Sequence, residues 1–105
     1  LTFIPSSPIL EWNLIDTRAG CERGFHLHEH FDEYITVISG AGIYTVGLDG
    51  LGSEVTRVKV SWGDTLLFRA GTPHALHAVT DVRMVALLTR RWGDVDPAAT
   101  RVDLR

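Results

Sequence analysis

Apolar and polar residues alternate along this chain in short runs, and the runs are cut by Gly, Asp, Asn and Pro. Alternation with a period of two is the mark of a half-buried strand, because successive side chains leave opposite faces. The pattern predicts strands over 9–15, 25–30, 33–38, 43–46, 55–60, 65–68, 74–79 and 82–89. Turn signals separate them: 20–24, Ser39-Gly40-Ala41-Gly42, a hairpin-like loop at 49–53, Trp62-Gly63-Asp64 and Gly71-Thr72-Pro73. No stretch of helical length repeats its apolar residues every 3.6 positions. The tail from Arg90, with Asp94, Asp96 and Pro97, reads as irregular. Many short strands at near-even spacing predict an all-β sandwich or barrel.

Size and charge narrow the function classes. With 105 residues and 11.6 kDa, the chain is expected to be one domain over 1–105. Apolar runs such as Leu66-Leu67-Phe68 are far short of the roughly 20 residues that span a bilayer. No basic stretch leads into an apolar one, so a cytoplasmic location is expected and no membrane partner. A net charge of −3 offers no positive field for phosphates, which argues against a nucleic-acid partner. The single cysteine, Cys21, permits neither an intrachain disulfide nor a cysteine-based zinc cluster.

The chemistry gathers at His26, His28, Glu33 and His74. In a strand, His26 and His28 leave the same face about 7 Å apart, so two imidazoles can converge on one ion. His30 continues that alternation and is expected to line the mouth or take a catalytic part. Glu33 opens the next strand after a short turn, and His74 starts a distant strand behind Gly71-Thr72-Pro73. Three nitrogens and one oxygen suit a divalent transition metal: iron, manganese, nickel, zinc or copper. His77 has the parity opposite to His74 and is expected to face away.

These residues also carry a family pattern. Gly20, His26-Leu27-His28, Glu33 and Gly40 match the motif G-x5-H-x-H-x3,4-E-x6-G throughout. Gly63, Gly71 and His74 match G-x5-P-x-G-x2-H-x3-N in part, with Arg69 in place of the proline and Ala78 in place of the asparagine. The chain thereby resembles the cupin superfamily, which implies a β jelly-roll barrel and a metal on His26, His28, Glu33 and His74. The string Arg23-Gly24-Phe25-His26-Leu27-His28 is similar to an R-G-x-H-x-H element of cupins in nucleotide-sugar pathways.

The resulting expectation is a metal-dependent cupin enzyme on a small oxygenated molecule, sugar-like or keto-hydroxy. Its reaction would be isomerisation or epimerisation, with the metal as Lewis acid and a histidine or Tyr44 moving the proton. Arg23 and Arg69 are candidates to hold an anionic group of the substrate. Ile35, Val37, Leu76 and Met84 are candidates for the dry apolar lining that would suit dioxygen chemistry. The same ligand set also suits a non-haem iron or nickel dioxygenase. A non-catalytic sensor or ligand-binding cupin is the third reading. Trp12, Trp62 and Trp92 are expected in packing or at an interface. A small jelly roll has sheet edges to cover, so a homodimer through the strand at 9–15 is expected.

Overall fold

The computed structural model describes residues 8–48 and 54–101, so the loop expected at 49–53 lies outside the described residues. Nine strands run through it: β1 Glu11–Thr17, β2 Glu22–Leu27, β3 Glu33–Ser39, β4 Ala41–Gly47, β5 Val55–Ser61, β6 Thr65–Phe68, β7 His74–Ala78, β8 Val82–Leu88 and β9 Thr100–Arg101. They form a four-stranded sheet, β1-β8-β3-β6, and a five-stranded sheet, β5-β4-β7-β2-β9, with every pairing antiparallel. This is a jelly-roll sandwich of two sheets rather than a closed barrel. The only helical turn among the described residues is a 3-10 turn at Trp92–Asp94. No helix among the described residues is long and apolar enough to cross a membrane.

The alternation that predicted the strands also builds the core. Along β8, Val82, Met84, Ala86 and Leu88 are buried, while Arg83 is exposed. Their counterparts on the facing sheet are Tyr44, Val60, Leu76 and Ala78. Outward positions of the four-stranded sheet stay apolar at several places, with Leu10, Trp12, Leu14, Ile38 and Leu67 exposed.

Gly40 turns β3 into β4 at φ +87°, and a Cβ there would collide with the Asp81 carbonyl oxygen. Only glycine takes that turn without a steric cost. The loops after β2 and β6 are tied to each other. Gly71 N donates to the His28 carbonyl (2.7 Å), and Ala70 N donates to the Asp32 carboxylate (2.8 Å). These bonds bring together the two segments that carry the histidines.

Two elements differ from the sequence pattern. The first strand is shifted by two residues towards the C-terminus, because Thr17 and Ile15 follow the inward register against β8. The predicted strand 25–30 is instead β2, Glu22–Leu27, and it ends before His28. Its pairing with β7 slips between Gly24 and His26, and Phe25 sits at φ 59°. One extra residue in a strand makes a bulge and turns the following side chain to the other face.

Candidate metal centre

The bulge in β2 decides what the site contains. Strict alternation would send Arg23 and His26 to opposite faces. With the extra residue, Arg23 pairs with the buried Leu76, His26 pairs with His74, and both line the same cavity. Gly24 allows it: at φ +109°, a Cβ would stand 2.7 Å from the His74 carbonyl oxygen and 2.9 Å from Ala75 Cα. The strain falls on Phe25, whose left-handed backbone costs a non-glycine residue about 1–2 kcal/mol.

The nitrogen ligand atoms of His26, His28 and His74 lie within 4.8 Å of one another. Glu33 enters from β3, its Oε1 3.6 Å from His28 Nε2 and 3.3 Å from His74 Nε2. His28, His74 and Glu33 are all buried. Each of the two buried rings is held in a fixed orientation. His28 Nδ1 meets the Ala98 carbonyl at 2.7 Å, and Phe31 stacks on the ring at 4.5 Å. His74 Nδ1 meets the Thr72 carbonyl at 3.0 Å, and Phe68 stacks on it at 4.2 Å with planes 3° apart.

A carbonyl oxygen can only accept, so both Nδ1 atoms donate and carry hydrogen. In the neutral rings, Nε2 then presents a lone pair towards the Glu33 carboxylate. His28 Nε2 is buried without a hydrogen-bond partner. Such an atom is costly to leave unmade, and several acceptors facing one another call for a cation between them. Imidazole nitrogens with a carboxylate are a donor set for a divalent transition metal, and carbonyls on the far nitrogens are the usual way such rings are oriented. The residues present therefore fit a metal ion.

Electrostatics agree with the geometry. Burial would raise the Glu33 carboxyl, but hydrogen bonds and positive charge from the His28 and His74 imidazoles in their protonated form outweigh it and hold it at about 2; a cation in the place of those protons acts in the same sense. His26 is held down at about 4, first by burial and then by the neighbouring His74 and His28; Glu33 and a backbone hydrogen bond at Gly24 oppose this. The carboxylate is thus ionised and the His26 ring neutral near neutral pH, which are the forms that bind metal. Tyr44 lies above the cluster, its hydroxyl donating to Met84 Sδ at 3.4 Å. Burial, followed by the Glu33 charge, pushes its phenol far above the ordinary value.

A cavity of about 100 Å³ opens on this cluster. Arg23, His26, His28, Glu33, Tyr44 and His74 line it together with the apolar Ile15, Ile35 and Met84. Val37 and Leu76, expected to line the site, belong instead to the core behind it. His30 and Arg69 are not brought to the cavity. His30 is exposed because β2 ends at Leu27 and the alternation stops there, and Arg69 is exposed between β6 and the turn before His74. His77 faces outward beside Glu22, as its parity predicted.

Trp92 is the residue that sequence reasoning placed elsewhere. It lines the cavity and sets its edge against His28 at 5.3 Å. Its segment is carried there by β9, which pairs with His26 and Leu27, and by Trp92 N donating to Glu11 (3.2 Å). No periodicity in the tail signals this return.

Fold and site together define a cupin. The family model for the cupin domain matches residues 14–89, and the chain belongs to that family. Similar folds occur in several solved structures. The capsular polysaccharide assembling protein CapF from Staphylococcus aureus matches at 18% identity and TM-score 0.79, over 96% of this chain and 30% of that one. ChmJ, a 3'-monoepimerase from Streptomyces bikiniensis solved with dTDP-quinovose, matches at 20% identity and TM-score 0.78, over 91% of this chain and 52% of that one. A 3,4-ketoisomerase from Helicobacter canadensis matches at 12% identity and TM-score 0.77, over 90% and 70%. The chain thus spans about a third of CapF and about half of ChmJ. A comparison with curated protein sequences found no match.

Proposed function

We propose that this cupin is a metal-dependent enzyme that isomerises or epimerises a small oxygenated molecule. The observation that carries the reading is the cluster itself: three imidazoles converging on one point, two of them beside a buried carboxylate and oriented by carbonyls. His26, His28, His74 and Glu33 would hold a divalent ion, which, when bound, supplies Lewis-acid polarisation of a carbonyl oxygen. Tyr44, kept protonated by burial, holds its proton at the phenol oxygen and can donate a hydrogen bond to a substrate oxygen. Ile15, Ile35 and Met84 exclude water beside the reacting atoms. Arg23 holds an anionic group at the rim. The likeness to an epimerase and a ketoisomerase supports proton transfer next to a carbonyl over other chemistry.

The test is metal content by mass spectrometry on untagged protein purified without added metal. Near-stoichiometric divalent metal, lost in His28→Ala, is expected. No metal even after reconstitution would overturn the reading. Iron together with substrate-dependent oxygen uptake would replace it with a dioxygenase. The proposal includes a homodimer joined along β1, an edge strand with Trp12 and Leu14 exposed and the exposed Leu10 just before it. Light scattering that finds a monomer at micromolar concentration would remove that part.

A further inference from the structure

We infer that Arg23 and Trp92 select the substrate, and that the site takes a small hydroxy or oxo acid rather than a sugar ring or a nucleotide sugar. This rests on the metal-centre reading above and narrows it.

Size comes first. The cavity measures about 100 Å³. A water molecule occupies about 30 Å³ of liquid, and a cavity of about 150 Å³ accepts benzene. The space therefore admits a fragment somewhat smaller than benzene, on the scale of glycolate or lactate. A hexose with its hydroxyls has about twice the heavy atoms of benzene, so this space does not enclose one. Typical sites for larger ligands run to about 300–1,000 Å³. Trp92 is the wall that keeps this one small. It is 44% exposed, so it lies at the mouth and not in the core, yet its ring edge rests on His28.

Charge comes second. Arg23 and Glu33 are the formally charged side chains that line the cavity, and the ring nitrogens of bound histidines are neutral. With a divalent ion held, the metal and Arg23 exceed the single charge of Glu33 by two. Among the described residues, Arg23 has no carboxylate partner: its Nε donates to the Thr17 hydroxyl at 3.2 Å. A guanidinium offers five donors in a planar fork suited to a carboxylate. Arg23 is exposed at the mouth, so an anionic ligand reaching from the buried metal ligands to the guanidinium would meet both positive charges, and a neutral sugar would answer neither. The bulge in β2 is what puts Arg23 on the face that carries His26.

The test is isothermal titration of the zinc-reconstituted chain with lactate, hydroxyacetone and glucose, zinc being redox-silent. Lactate is expected to bind at least tenfold more tightly than the neutral hydroxyacetone, and glucose not at all. Arg23→Gln should abolish the preference for the acid, and Arg23→Lys should retain part of it. Trp92→Ala should admit glucose. Circular dichroism and zinc content of each variant establish that it is folded and loaded. Equal binding of lactate and hydroxyacetone, or glucose binding to the unaltered chain, would overturn the inference and leave the metal centre standing. Failure of the unaltered chain to take up zinc or any other divalent metal would overturn both.

Discussion

His74 and His77 lie on one strand, and each faces a glutamate at a similar distance. His74 Nε2 is 3.3 Å from Glu33, and His77 Nδ1 is 3.6 Å from Glu22. The pairs differ in where the sheet puts them. The His74 and Glu33 side chains are 5% and 10% exposed; those of His77 and Glu22 are 48% and 51% exposed. Outside, water solvates both groups, and such a pair contributes little. Inside, the same groups have lost water, and the nitrogen lone pairs and carboxylate must find a cation. One residue type on one strand yields a candidate metal site on one face and an ordinary surface contact on the other. The side-chain period of two is the whole cause.

The contrast is tested most strongly by metal. His74→Ala should lower divalent-metal affinity about 100-fold or more, since even residues that only orient ligands are worth about 10–100-fold. His77→Ala should leave affinity unchanged. Competition against a chromophoric chelator measures both, and equal losses would erase the distinction. Next comes the backbone that lets β2 approach β7. Gly24→Ala should cost about 3 kcal/mol in urea unfolding, because the new Cβ meets the His74 backbone at a positive φ. A loss under about 0.5 kcal/mol would mean that the bulge relaxes freely.

The carboxylates should differ in the same sense. Glu33→Gln should lower divalent-metal affinity at least about 10-fold, since it removes the anionic ligand. Glu22→Gln should leave that affinity unchanged. Equal affinities in the two variants would show that burial does not separate them.

Acid should act through the inner pair. His26 is held at about 4 against an ordinary 6.5, so from pH 6.5 down to about 4 the unfolded chain binds the proton that the folded chain refuses. Stability of the metal-free protein therefore falls across that window. The depressed Glu33 continues the loss below its ordinary 4.5, as pH falls towards about 2. Thermal unfolding followed against pH checks the sign, and His26→Gln should flatten the upper part of the window. A rise in stability between pH 6.5 and about 4.5 would contradict the His26 shift, and a rise below 4.5 would contradict that of Glu33.

Much of this molecule was legible in the residues. Thr65–Phe68 and Val82–Leu88 follow from short apolar runs bounded by turn signals, because a strand buried on one face or both is rich in apolar residues. His26, His28, Glu33 and His74 stood out because their spacing places ligand-type side chains on neighbouring strands, and the structure gathers them. Their parity also separated His74 from His77. Where alternation breaks, prediction broke with it. His30 continues the pattern in sequence but not in space, since β2 stops at Leu27.

Local pattern thus determined the strand content, the faces and the candidate ligands, for these depend on near neighbours in the chain. Tertiary structure decided the rest. The bulge at Phe25 put Arg23 on the same face as His26 at the mouth of the cavity, and it arises from β2 pairing with β7, about fifty residues away in sequence. Ala98 oriented His28, and Trp92 set the size of the cavity, because the tail returns across the mouth to pair with β2. Such contacts bring together residues with no periodic relation to one another, and only the packed sheets bring the tail and the histidines within reach.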